Sequence, residues 1–189
     1  MDVRQDKAYD EWLVLRSQDG HAEAFELLVA RWQPRLLRYA RRLLASERGA
    51  ADAGHEAVQE AWLAIVRGLG RLQDPARFRT WAYRIVSRRC IDRFRRRHRD
   101  RQLTEAVARE AARDASEGSP AEAPDHGLRA ALRRLDPMHR CVLELRYLDG
   151  LNVREVAEAL DIPVGTAKSR LFHARKRLKR TMETERNRE

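Results

Sequence analysis

Apolar residues in this chain return at three- and four-residue steps, and that spacing admits little besides helix. Phe25, Leu28, Val29 and Trp32 share one face, Val58, Trp62, Ile65 and Leu69 another, and Leu128, Leu132 and Leu135 a third. β-branched runs are rare, glycine and proline are sparse, and alanine, leucine, arginine and glutamate dominate, all of which favours helix. The spacing predicts helices over about 6–17, after Asp19, after Pro34 (which opens or kinks its helix), over 52–68 and over 76–98, with Pro75 marking a loop before the last. Further on, Asp136-Pro137 reads as a helix start and Asp149-Gly150 as a stop. VREVAEAL is a compact helix, DIP a tight break and VGTAKSRLFHARKRLKR a final basic helix. The expected fold is all-α.

Charge divides the chain into parts. The formal net charge is +10, which points to a polyanionic partner. Residues 67–101 carry 13 arginines against Asp74, Asp92 and Asp100, and residues 164–180 carry seven basic residues and no acid. Between them, residues 102–127 are acidic, lack aromatics and end in EGSPAEAPDHG, the composition of a partly disordered tether. We therefore expect two small helical domains, 19–101 and 128–182, joined by an acidic linker at 102–127, with an N-terminal segment 1–18 and a tail 183–189. No run of 18 apolar residues is present, and MDVRQDKAYDEW lacks the apolar core of a signal peptide, so a cytoplasmic location is expected. Cys90 and Cys141 stand far apart without a CxxC partner; neither a disulfide framework nor a metal site follows, and no cofactor is expected.

Residues 151–178 fit a helix-turn-helix. Ala157 supplies the small residue needed where the second helix crosses the first, and Val156, Leu160, Ile162, Val164, Ala167 and Leu171 can form the shared seam, extended by Ala174 and Leu178. The opposite face shows Thr166, Ser169, Arg170, His173 and Arg177, placed to meet base edges in a major groove, with Lys168, Arg175 and Lys176 beside them for phosphates. An ordinary helical hairpin with a basic face is the competing reading. The small residue, tight turn, shared seam and acid-free second helix together favour DNA.

These residues carry a resemblance. ALRRLDPMHRCVLELRYLDGLNVREVAEALDIPVGTAKSRLFHARKRLKR resembles the fourth domain of bacterial RNA polymerase sigma factors, and HEAVQEAWLAIVRGLGRLQDPARFRTWAYRIVSRRCIDRFRRR is similar to the second. Order and spacing match the extracytoplasmic-function (ECF) class of the sigma-70 family over most of residues 20–180. Where that class usually has two adjacent acids, this chain has His55 and Glu56, and LQDPARF departs from the commoner glycine-containing loop.

The resemblance implies partners and sites. Glu56, Gln59, Glu60 and Leu63 form one stripe that would meet the β′ clamp helices of core RNA polymerase, and the fourth domain would dock on the β-flap. The loop and helix carrying Arg71, Leu72, Gln73, Asp74, Arg77, Phe78, Arg79, Trp81, Arg84 and Arg88 would engage the −10 promoter element. There Leu72, Gln73, Asp74 and Phe78 would hold a flipped base while Arg77, Arg79, Arg84 and Arg88 track the backbone. Trp81 suits a core position as well as a wedge. The helix-turn-helix would read the −35 element, and an anti-sigma factor is a further expected partner. A helix-turn-helix regulator that is not a polymerase subunit is the alternative, but the first module shows no ligand or receiver domain. An enzyme would need a metal-binding carboxylate cluster or an activated nucleophile, and the basic regions offer neither.

Overall fold

The computed structural model describes residues 3–47, 49–111 and 127–186, and across them the chain is helical with no strand. Helices α1 (Val3–Gln18), α2 (Ala22–Leu43), α3 (Ala50–Gly68) and α4 (Phe78–Ala111) make the first half. Helices α5 (Leu128–Arg133), α6 (Pro137–Leu143), α7 (Val153–Leu160) and α8 (Val164–Arg186) make the second. Local chemistry sets most boundaries. Asp136 accepts the Met138 amide at 2.9 Å with Pro137 in the first turn of α6. Asn152 accepts the amides of Arg154 and Glu155 at 2.9 and 3.0 Å, and the Glu155 carboxylate takes the Asn152 amide at 2.7 Å, a reciprocal cap that starts α7. Gly49 makes the left-handed turn before α3 at φ 69°.

Two helices differ from the sequence expectation. Pro34 does not open a helix; α2 runs through it from Ala22 to Leu43. Pro34 and Ala30 face solvent, so water can take the carbonyl that proline leaves without a donor, while Leu28, Trp32, Leu36, Tyr39 and Leu43 bury one continuous stripe across it. The helix expected to end near 98 continues to Ala111, into the segment read as linker; residues 112–126 of that segment lie outside the described residues.

The first half packs around an aromatic cluster. Trp32 meets Phe78 edge-on at 5.4 Å and Tyr83 at 6.1 Å, and Tyr39 meets Tyr83 at 5.2 Å. The second half closes on Val142, Leu145, Leu151, Val156, Ala167 and Ala174. These are not separate cores: one buried cluster runs from Leu13 to Ala174. The α4–α7 contact is as extensive as any within the first half, and α6 also lies against α2 and α4.

Charged groups are buried in the seam between the halves. Arg42 of α2 donates to Glu144 and, at 2.7 Å, to Asp149. Glu144 is 2% exposed and opens a five-residue π segment, Glu144–Leu148, closed by the Asp149 amide on the Glu144 carbonyl at 3.0 Å. That wider turn sets both carboxylates on one guanidinium. The Glu144 and Asp149 carboxyls are raised above their ordinary values, first by burial, with Arg42 opposing it. Arg140, 2% exposed, works in the other direction. It donates to the Leu43 carbonyl at 2.8 Å and the Ser46 hydroxyl at 2.9 Å in the first half, and to the carbonyls of Arg133 and Leu135 at 2.6 and 3.0 Å in its own.

Two outcomes follow for stability. Arg140→Ala strips donors from several buried carbonyls at once and should lower the urea-unfolding free energy by about 1–3 kcal/mol or more. His139 is held below its ordinary value of 6.5, first by burial and then by Arg177. A base depressed in the folded state contributes stability that is present above its unfolded value and lost as pH falls through the folded one. Urea midpoints should therefore drop as pH falls below about 6.5, and His139→Gln should flatten that part of the profile.

Candidate nucleic-acid interface

The chain between α3 and α4 folds into two short 3-10 turns, Leu69–Arg71 and Pro75–Arg77. Asp74 starts the second by accepting the Ala76 amide at 3.0 Å, with Pro75 behind it. The end of α1 fixes the first: the Gln18 side-chain amide donates to the carbonyls of Leu69 and Leu72, both at 2.8 Å. The N-terminal segment, without a role in the sequence reading, thus holds the loop in shape.

Loop and helix border an open cavity of about 650 Å³, roomy enough for a nucleoside. Arg71, Leu72, Gln73, Asp74, Arg77, Trp81 and Arg84 line it, and Glu158 of α7 closes one side. Three residues expected with them lie elsewhere. Phe78 is 1% exposed because its ring fills the core against Trp32, so it cannot be a pocket wall. Arg79 turns toward the second half and donates to the Asp149 carbonyl. Arg88 lies one turn further along α4 from Arg84, outside the cavity. Trp81 is half-buried, and its six-membered ring lies so close to Gly68 that an added Cβ there would stand 2.9 Å from Cζ2. It is both anchored and part of the cavity wall.

Carboxylates of the second half meet the arginines of α4. Asp161 caps α7 in the left-handed region at φ 55°. One of its oxygens receives Arg84 Nη2 at 2.5 Å and the other Arg88 Nη2 at 2.5 Å. The Arg84 hydrogen bond is the main cause that holds the Asp161 carboxyl below its usual range. Arg77 lies 3.4 Å from Asp74 and 3.6 Å from Glu158.

The stripe on α3 is displayed as its spacing implies. Glu56, Gln59, Glu60 and Leu63 are all exposed while Ala53, Ala57, Val58, Ala61 and Ile65 are buried behind them. Its charge is partly answered within the molecule. Arg93 donates to Glu56 at 2.5 Å and Arg89 lies 3.6 Å from Glu60. His55, in place of an acid, pairs with Arg41 at 2.7 Å. Leu63 and, one turn on, Val66 are more than half exposed and leave an apolar edge beside the acids.

The helix-turn-helix seam holds Val156, Ala157, Ala167, Leu171 and Ala174, with Leu160, Ile162 and Leu178 packed around it. Val164 does not join: it is 39% exposed at the first position of α8, ahead of the crossing. Lys168, Ser169, His173, Arg175, Lys176 and Arg177 are exposed along α8, and Thr166 is half-buried. Arg170 is less available than its helical position implies. It is half-buried, its Nη1 has no accessible surface, and it is near enough to His139 to repel its proton, which turns it back toward α6. Phe172 was missed. It is 56% exposed and edge-on to His173 at 5.4 Å. An aromatic out of phase with the Leu171–Ala174–Leu178 stripe was the sequence signal for it.

Comparison with known proteins agrees with this architecture. The family model described as ECF sigma factor matches residues 11–184. The RNA polymerase sigma-H factor of Pseudomonas aeruginosa is 29% identical over 187 residues, covering 92% of this chain and 94% of that one. The ECF RNA polymerase sigma-E factor of Escherichia coli K12 is 32% identical over 177 residues, covering 88% and 90%. Among solved structures, CnrH in complex with the cytosolic domain of CnrY superimposes with a TM-score of 0.65 at 27% identity, covering 93% of this chain and 98% of that one. The sigma factor RpoE of Bartonella quintana, in complex with the anti-sigma factor NepR, gives 0.65 at 20% identity, covering 86% and 98%, a likeness of fold. Matched by that family model over nearly its whole length, the chain belongs to the ECF sigma factor family.

Proposed function

We propose that this sigma factor acts in transcription initiation by spreading its work over three surfaces. The α3 stripe of Glu56, Gln59, Glu60 and Leu63 engages the β′ clamp helices of core RNA polymerase. The loop cavity with Trp81 takes an unstacked base of the −10 element, while Arg77, Arg84 and Arg88 follow the strand's phosphates. Helix α8 enters the major groove of the −35 element with Ser169, His173 and Phe172 toward bases and Lys168, Arg175, Lys176 and Arg177 toward phosphates, and its domain docks on the β-flap. The observation that carries this reading is the cavity: a nucleoside-sized space lined by an amphipathic loop, a tryptophan and three arginines, at the foot of an arginine-rich helix.

The physics suits strand capture. Extracting a base costs a few kcal/mol of stacking, and an aromatic wall with guanidiniums on the backbone can return it. In this reading residues 19–101 and 128–182 act as the two domains and 102–127 as their connection. The chain is a regulatory subunit without catalysis of its own, working in the cytoplasm; no described helix is long and apolar enough to cross a membrane. The resemblance to sigma factors solved with bound protein partners, one an anti-sigma factor, supports an inhibitory protein partner here too.

Two variants test the assignment. Changing Glu56, Gln59 and Glu60 together to Ala breaks only exposed pairs, so the fold should survive with less than about 1 kcal/mol lost per pair. Pull-down with core polymerase should fail; retained binding would remove the stripe from the interface. Gly68→Ala would push Trp81 into the cavity. Promoter opening by the reconstituted holoenzyme, read by permanganate footprinting, should fall about tenfold while core binding stays unchanged, since about 1.4 kcal/mol of lost fit is a factor of ten.

A further inference from the structure

We infer that a cavity bordered by α1, α2 and the start of α4 is a binding site for a small phosphorylated molecule, held by its diphosphate group. The cavity measures about 430 Å³, the size of a small-molecule cleft, and shares no lining residue with the loop cavity. Three arginines line it: Arg35 and Arg38, one turn apart on α2, and Arg79 in the first turn of α4. Leu148 and Glu155 of the second half line it too, so both halves bound the space and a compact ligand suits it.

The acids around the cavity are already taken. Asp6 and Asp10 share Arg31 at 2.6 and 2.5 Å, Asp149 receives Arg42 at 2.7 Å, and the Glu155 carboxylate accepts the Asn152 amide at 2.7 Å. The arginines are not. Arg38 is exposed and makes no hydrogen bond or ion pair among the described residues. Arg35 is half-buried over the Trp32 ring, 5.2 Å from its centroid, and no carboxylate of the described residues lies within ion-pair distance of it. Arg79 donates to the Asp149 carbonyl, an uncharged acceptor. Trp32 also lines the cavity; it is 1% exposed and its indole N–H has no acceptor in the fold, an uncommon state for a buried donor. A carboxylate offers guanidiniums a single edge. The oxygens of a diphosphate face several directions and can take a fork from each helix, which is why guanidiniums converging from α2 and α4 favour it.

The experiment is isothermal titration calorimetry of the full chain with inorganic pyrophosphate in magnesium-free buffer. Arg38→Gln removes a side chain that no other group of the described fold bonds. Arg35→Gln/Arg38→Gln removes both guanidiniums of α2, and Arg16→Gln/Arg67→Gln, at exposed positions on α1 and α3, is its charge-matched control. The unaltered chain and the control should each bind one pyrophosphate with affinities within about twofold, since exposed charges away from the site contribute little. Arg38→Gln should bind it about tenfold more weakly, the loss expected for a charge-assisted hydrogen bond, and the double variant more weakly still. Citrate, a tricarboxylate, should bind the unaltered chain at least about tenfold more weakly than pyrophosphate. If the double variant fails to fold, Arg38→Gln decides alone. Absence of saturable binding by the unaltered chain, equal losses in Arg38→Gln and the control, or citrate bound as tightly as pyrophosphate would overturn the assignment. So would a chain that ignores pyrophosphate while Arg38→Gln weakens its binding of a single-stranded DNA 12-mer, since the arginines would then belong to strand phosphates.

Discussion

Arg42 is the point on which the arrangement of the two halves depends. It stands at the end of α2, and the carboxylates it neutralises, Glu144 and Asp149, belong to the other half. Taking such charges from water costs several kcal/mol each, so neither acid would be tolerated there unless the guanidinium were opposite. Arg140 adds the reciprocal debt: its donors satisfy carbonyls on both sides. Buried apolar surface is tolerant of small slips, but these directional bonds are not. They fix how α6 lies on α2, and hence where α7 falls along α4.

The same constraint explains what was legible in the sequence. Helices could be read because each buries a stripe recorded in its own spacing, and the caps at Asp136 and Asn152 are local. Pro34 misled because its effect depends on which side of the helix faces water, a tertiary fact. Phe78 misled because its loop-edge position suggests a pocket wall, whereas Trp32, 46 residues earlier, draws it inward. The cavity residues from Arg71 to Arg84 were legible as a set because one loop and one helix carry nearly all of them. Glu158 and Asp161 were not, since nothing near them in sequence mentions α4.

A chain of charge +10 must also fold without its arginines repelling one another. The structure answers with acids from distant elements. Glu47, 8% exposed, lies 3.5 Å from Arg93 and 2.9 Å from Arg97, and Glu56 shares Arg93. Arg31 is similarly shared by Asp6 and Asp10, at 2.6 and 2.5 Å, which pins α1 to α2. Acids placed this way let one helix hold a dense basic surface while its neighbours carry the compensating charge.

Gln18 shows how far such dependence reaches. A single side-chain amide on α1 holds two carbonyls of the loop that borders the cavity. The loop's residues are contiguous, so it looks like a portable cassette. Its shape, however, is written partly outside itself. A chimera that transplanted residues 69–77 onto another helical scaffold would carry the letters of this loop but not its curvature, unless a donor were supplied where Gln18 now stands.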